Sequence, residues 1–303
     1  MSKSNDVVVV PNFSSNGAKL RQQFDTTFAD ARGLNSKRFV WDHWQIKNQY
    51  QLLRTPSAEF FDKKNYESLL NDILTWGQTH LGCHSLSSPW LSCYVEGGYQ
   101  NYHTDIEQGP WAFVYSLSPK KIKFDGGETQ IFRTTPITSK QNSLGSESHQ
   151  LMHTIQPKFN QLTVFDPSLA HGVSRVSGVN DVSEGRLVIH GWFGYPSPFV
   201  VGALERNDKQ IKSSLNQALE LFYQKFKDES LNFDHKNTYF NFCLAITPSG
   251  KVTNVELLPL HEKIKLGVAL KQQKLLKEYA TGLRNIMFPK ATSSSRLYLP
   301  IYI

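Results

Sequence analysis

Trp90-Leu91-Ser92-Cys93-Tyr94-Val95-Glu96-Gly97-Gly98-Tyr99-Gln100-Asn101-Tyr102-His103-Thr104-Asp105 runs from an apolar strand through a glycine pair to an H-x-D triplet. Trp90 to Val95 has the length and texture of a buried strand, and the glycines break it. The same texture recurs up to about Val201, at Trp111–Leu117, Glu128–Phe132, His153–Ile155, Gln161–Phe165 and Arg186–Phe193, with Gly, Pro, Asn and Asp between. Short strands at this spacing, without long helices between them, predict an antiparallel barrel or sandwich, and a double-stranded β-helix (jelly-roll) fits.

His103 and Asp105 are two residues apart, so on an extended backbone both side chains share one face and can bind one metal ion. His171 follows 66 positions after Asp105, in Phe165-Asp166-Pro167-Ser168-Leu169-Ala170-His171-Gly172-Val173, just past a strand that can return it across the barrel. Two neutral imidazoles and one carboxylate suit Fe(II) and leave open positions. An H-x-D pair alone is weak evidence, because it arises by chance in many chains.

Outward from this core, Val7–Val10 reads as a strand ended by a Pro-Asn turn, and Ala18–Phe28 has helical spacing at Leu20, Phe24 and Phe28. Arg38–Trp44 is aromatic and is assigned to packing. Leu69, Leu70, Ile73, Leu74 and Trp76 predict a helix over Asn65–Leu81 that covers one face of a sheet. Residues 134–150, rich in Thr, Ser, Gln and Asn, are expected to form a mobile loop beside the barrel mouth. A helix is predicted over Asp208–Phe226, followed by a polar boundary at Lys227–Lys236. The remainder reads strand (Tyr239–Thr247), turn, strand (Val252–Leu258), helix (Val268–Ile286) and strand (Arg296–Ile303). The expected organisation is α+β, with a barrel domain at 1–230 flanked by helices and a small α+β module at 237–303.

The 303 residues are 39% hydrophobic and 12% aromatic, enough for a buried core. No apolar run reaches membrane-spanning length, and the N-terminal valines are too few for a signal-peptide core, so a cytoplasmic protein is expected. Cys83, Cys93 and Cys243 lack C-x-x-C spacing and are expected to be reduced thiols. The net charge of +7 sits entirely in Lys236–Ile303, where ten Lys or Arg face three Glu; the first 235 residues carry 23 of each sign. That basic excess fits a solvated lysine-rich helix face, with an acidic partner as the alternative.

Five ordered elements resemble the Fe(II)- and 2-oxoglutarate-dependent dioxygenases, in particular the prolyl-4-hydroxylase-like branch. They are Tyr94-Val95-Glu96-Gly97-Gly98, the pair His103 and Asp105, Gly126-Gly127-Glu128, His171 in an H-x-V context, and Arg186 on a strand ending Trp192-Phe193. The resemblance implies that His103, Asp105 and His171 are iron ligands and that Arg186 pairs with the distal carboxylate of 2-oxoglutarate, where a planar guanidinium fits best. Relatives use a tyrosine of the lead-in strand to help hold the co-substrate, which points to Tyr94 and more weakly to Tyr102. They also often carry a hydroxyl two residues after the arginine. Here Val188 stands there, and Thr163 is the substitute candidate.

The implied reaction consumes O2 and 2-oxoglutarate, releases succinate and CO2, and hydroxylates a substrate C–H, with ascorbate as a candidate accessory reductant. Asp105 disfavours halogenation, since no ligand position is vacated for a halide. A nucleic-acid substrate is disfavoured because the second arginine of the demethylases is missing after Arg186. His153 and His190 are expected to pack rather than ligate. Residues 237–303 resemble the TonB C-terminal-type fold, which suggests docking or dimerisation and no more. The leading expectation is oxidation of an amino-acid side chain in a peptide or protein; a free small metabolite, or an inactive scaffold, are the alternatives.

Overall fold

The computed structural model describes residues 7–29, 35–133, 151–206, 208–226, 239–258 and 270–302. In chain order they form β1 (Val7–Val10), α1 (Gly17–Ala29), β2 (Asp42–Ile46), β3 (Tyr50–Pro56), the single turn α2 (Ser57–Phe60), α3 (Lys63–Leu81), β4 (Trp90–Tyr94), β5 (Tyr99–His103), β6 (Trp111–Ser116), β7 (Thr129–Phe132), β8 (Met152–Ile155), β9 (Gln161–Phe165), β10 (His171–Val173) and β11 (Arg186–Phe193). After them come β12 (Phe199–Gly202), α4 (Asp208–Phe226), β13 (Tyr239–Ile246), β14 (Val252–Leu257), α5 (Leu270–Leu283) and β15 (Ser295–Tyr302). The expected loop at 134–150 lies outside the described residues.

β1 to β11 make one antiparallel sheet in the order β1-β9-β6-β11-β4-β3-β5-β10-β7-β8, with β2 hydrogen-bonded to β3. Strands far apart in this order touch. Arg186 of β11 reaches Thr129 of β7, and Phe165 of β9 meets His171 of β10 at 4.8 Å between ring centroids. Ala112, Ile131, Phe165 and Leu169 form one cluster. A flat sheet cannot make these contacts, so the sheet curls into the nearly closed jelly-roll barrel that the strand spacing predicts.

Alternation divides the barrel's two faces. Arg186, Val188 and His190 of β11 pair in register with Tyr94, Ser92 and Trp90 of β4 and point inward, together with Arg54 of β3. Leu187, Ile189 and Phe193 point outward and are fully buried. On that outer side Arg21 of α1 donates to Leu117 O at 2.9 Å, and Gly17 leaves room for the Tyr115 hydroxyl, so α1, a helix as its spacing predicts, covers the sheet.

The hairpin of β2 and β3 is a departure from the sequence reading, which assigned Arg38–Trp44 to packing and placed no strand between Val10 and Trp90. The turn between them has Asn48 at φ +63°, a conformation asparagine tolerates. β3 ends up between β4 and β5, in the middle of the sheet.

Gly126 and Gly127 turn the chain into β7 at φ +76° and +74°. A Cβ on Gly126 would stand 1.9 Å from the carbonyl oxygen of Arg175. Positive φ and a clash with backbone act together, so Gly126→Ala is expected to lower stability by about 3 kcal/mol, seen as an earlier thermal melt by circular dichroism. A melt coinciding with wild type would overturn this account of the turn.

By contacts, residues 4–75 and 85–195 form one compact unit, and residues 76–84 and 196–303 group in the other. The expected boundary at 227–236 therefore falls inside the second unit. Its sheet runs β12-β15-β13-β14, and Ile211, Ala218 and Phe222 of α4 share one core with Leu276, Tyr279 and Leu283 of α5 and with Phe242, Leu244, Leu297 and Leu299. The apolar stripe of α4 needed this sheet as its partner, which a reading of α4 as the end of the barrel domain overlooks. Among the described residues no helix is long and apolar enough to cross a membrane.

Candidate metal and co-substrate site

β5 and β10 lie side by side with His171 directly across from His103, so both imidazoles rise from the same face. Asp105 lies two residues beyond the end of β5 rather than on a strand, as the H-x-D reading expects. Its amide donates to the Pro167 carbonyl at 2.9 Å, so the loop that leads into His171 also fixes the carboxylate. Asp105 Oδ2 stands 3.7 Å from His103 Nε2 and 3.5 Å from His171 Nε2. All three candidate ligand atoms lie within 4.8 Å of one another. Donors in adjacent positions at about 2.1 Å from a first-row ion stand roughly 3 Å apart, so a small contraction closes the set.

The tautomers suit a metal. His103 Nδ1 is 2.9 Å from Asn101 O, and His171 Nδ1 is 2.8 Å from Leu169 O. A carbonyl only accepts, so each Nδ1 carries its hydrogen, and Nε2, the atom that faces Asp105, is the one left for a metal. Burial alone would raise the Asp105 carboxyl, but hydrogen bonds from His103 and His171 outweigh it and hold the group well below the usual carboxylate range. With a metal in place of the Nε2 protons, the set would be two neutral nitrogens and an anion, which fits Fe(II). Gln100 Nε2 also lies 3.2 Å from His103 Nε2 and would yield that atom to a metal.

Arg186 is 1% exposed. Its Nε donates to Gly127 O at 2.7 Å and its Nη2 to Thr129 Oγ1 at 3.0 Å, while its guanidinium carbon stands 4.7 Å from the Tyr94 ring centroid. Gly127 makes this possible, since a Cβ there would press on Arg186 Cδ at 3.1 Å. Nη1 is buried and has no partner among the described residues. A buried guanidinium with an unused edge costs several kcal/mol unless something anionic meets it. Tyr94, in register with Arg186, donates its hydroxyl to Gln100 Oε1 at 3.2 Å, which links the arginine to His103 through one amide.

The other candidates lie elsewhere. Tyr102 alternates with His103 on β5 and faces the opposite way, 48% exposed, with its hydroxyl on Gln130 Oε1 at 2.7 Å. Thr163 is buried on the inner face, but β9 sets it beside Val114, which in turn pairs with His190, four residues along β11 from Arg186. The hydroxyl that meets Arg186 is that of Thr129, not Thr163. Its signal was the residue directly after Gly126-Gly127-Glu128. His190 bonds to Ser92 Oγ at 2.9 Å, and burial with the fields of Arg54 and Arg186 lowers it to about 3, so it is neutral. Cys83 and Cys93 are buried free thiols, pushed up to about 12 by desolvation.

A family model described as the 2OG-Fe(II) oxygenase superfamily matches residues 89–194, which hold His103, Asp105, His171 and Arg186. Residues 89–194 are a 2OG-Fe(II) oxygenase domain. Oxygenases of this superfamily are oxidoreductases that use Fe(II), 2-oxoglutarate and O2. A comparison with curated proteins finds no match. Among solved structures, a Trichoplax adhaerens prolyl hydroxylase in complex with a hypoxia inducible factor peptide fragment is 15% identical, over 63% of this chain and 84% of that one, with a TM-score of 0.43. A Pseudomonas putida prolyl-4-hydroxylase is 15% identical over 63% and 94%, at 0.44. HygX from Streptomyces hygroscopicus, with nickel and 2-oxoglutarate bound, is 11% identical over 62% and 82%, at 0.40. At this level none of them bears on what the oxygenase domain acts on.

Proposed function

We propose that this chain hydroxylates an amino-acid side chain of a peptide or protein, with His103, Asp105 and His171 holding Fe(II) and Arg186 holding 2-oxoglutarate. The observation that carries the reading is the buried, unpartnered Nη1 of Arg186 in the same barrel interior as the histidine and aspartate set. That edge offers two N–H donors to the far carboxylate of a dicarboxylate. Bound there, the iron and 2-oxoglutarate supply oxidation of a C–H bond by O2, with release of succinate and CO2.

The chain's own residues do the rest. The carbonyls of Asn101 and Leu169 keep the two imidazoles in the metal-binding tautomer. Gly127 O and Thr129 hold the guanidinium in one orientation, and Tyr94, whose phenol burial keeps protonated, offers a hydroxyl beside it. Leu52, Phe124, Val173, Val176 and Val188 pack around the arginine end and keep water from it. Side-chain oxidation within a peptide is preferred on the prolyl-4-hydroxylase-like order of the motifs. Residues 237–303 are read as a docking or dimerising module on their TonB-like strand and helix order, and deletion of 236–303 is expected to weaken substrate binding while sparing the metal centre.

Anaerobic titration of Fe(II) and 2-oxoglutarate into the purified protein tests the centre. A visible charge-transfer band that requires both components is expected; properly folded protein without a band would sink the reading.

A further inference from the structure

We propose that Arg54 is the residue that selects the substrate, and that it does so by receiving a carboxylate. The proposal rests on the oxygenase reading above and deepens it. Arg54 projects from the central strand β3 into the barrel interior, in register with Ser92 and hence with Val188. Its guanidinium carbon stands 3.9 Å from the Trp90 ring centroid and 4.9 Å from that of Trp44. The side chain is half-buried, and among the described residues its guanidinium makes no hydrogen bond and no ion pair; its Nε is buried without a partner. Two indoles hold the plane of the cation but take none of its five N–H groups. A fixed guanidinium with a free edge matches a planar monoanion in two parallel hydrogen bonds.

The position is the right one for a substrate. Arg54 lies within electrostatic reach of Asp105 and Tyr94, and of His190, which feels Asp105 and His103 as well. It therefore faces the same interior as the metal set, from the strand that neighbours β5, while Arg186 serves the co-substrate. Charge supports the division. Fe(II), Asp105, Arg186 and a 2-oxoglutarate dianion cancel, and His190 is neutral, so Arg54 leaves one positive charge in the interior. One cation with one exposed fork fits a carboxylate better than a phosphate dianion, which needs more donors. The carboxylate belongs either to the oxidised amino acid itself or to an acidic residue next to it in a peptide.

The test uses full-length protein loaded with Zn(II) as a redox-inert stand-in, plus 2-oxoglutarate, and ligand-observed NMR. One arm titrates the N-acetyl amino acids against their neutral amides. The other titrates N-acetyl dipeptide amides that carry Glu in the second position against those that carry Gln. In at least one matched pair the acid is expected to bind ten-fold or more tightly, and the arm in which this occurs identifies the source of the carboxylate. Arg54→Gln is expected to abolish the preference, and Arg54→Lys, which keeps the charge and the fold but not the fork, to reduce it at least three-fold. No acid preference in any pair, or a preference that survives in Arg54→Gln and Arg54→Lys alike, overturns the proposal. Failure of the oxygenase reading would show separately, as absence of the Fe(II) and 2-oxoglutarate band in the wild-type protein.

Discussion

Asp105→Ala is expected to abolish the Fe(II)- and 2-oxoglutarate-dependent band and the succinate release that accompanies it. Asp105 is the only anion of the candidate ligand set, and both histidine Nε2 atoms converge on its Oδ2 at 3.5 and 3.7 Å. Residues that only orient a ligand are commonly worth 10–100-fold in metal affinity, so removal of an anionic ligand should exceed about 100-fold. The variant should fold, because the carboxylate is partly exposed and the loop is anchored by its backbone amide to Pro167 rather than by the side chain. Isothermal titration with Fe(II) or Mn(II) under argon, next to a thermal melt, separates the two effects. Metal affinity within three-fold of wild type would remove Asp105 from the centre and leave a bare histidine pair.

The barrel was legible in the sequence because both faces of β4, β6, β9 and β11 are buried, and their short apolar-rich runs, bounded by Gly, Pro, Asn and Asp, read as strands. The hairpin of β2 and β3 was not, since Asp42-His43-Trp44-Gln45-Ile46 carries polar residues on its exposed edge and only a turn asparagine marks the reversal. Missing that hairpin hid Arg54, whose chemistry depends on being placed opposite Ser92. His103 and His171 were found from residue type and spacing, and the register across β5 and β10 brings them together. Thr129 escaped because the partner of a buried guanidinium is set by which strand closes the barrel, and that is a property of the curled sheet, not of any local spacing. α4 escaped its proper unit for the opposite reason: its stripe shows that it packs, without showing against what.

Arg186→Lys separates charge from geometry at the co-substrate end. An ammonium keeps one positive charge in the barrel and can still reach an anion, so the electrostatic balance with Asp105 survives. It loses the fork. Arg186 now uses Nε for Gly127 O and Nη2 for Thr129 Oγ1, which leaves Nη1 aimed at the interior. A lysine must choose between those internal acceptors and the ligand. Each hydrogen bond to a charged group is worth about 1.5–3 kcal/mol, so loss of one or two predicts a rise of roughly 10 to 10⁴-fold in the Kd for 2-oxoglutarate. Metal binding measured without 2-oxoglutarate should change little, since no ligand atom touches the arginine. Alanine is the poorer choice, because it would strand Gly127 O and Thr129 in a dry interior and confound binding with folding. If 2-oxoglutarate titrated into Mn(II)-loaded Arg186→Lys binds as tightly as in wild type, the unpartnered Nη1 serves some other anion and the co-substrate must be held elsewhere in the barrel.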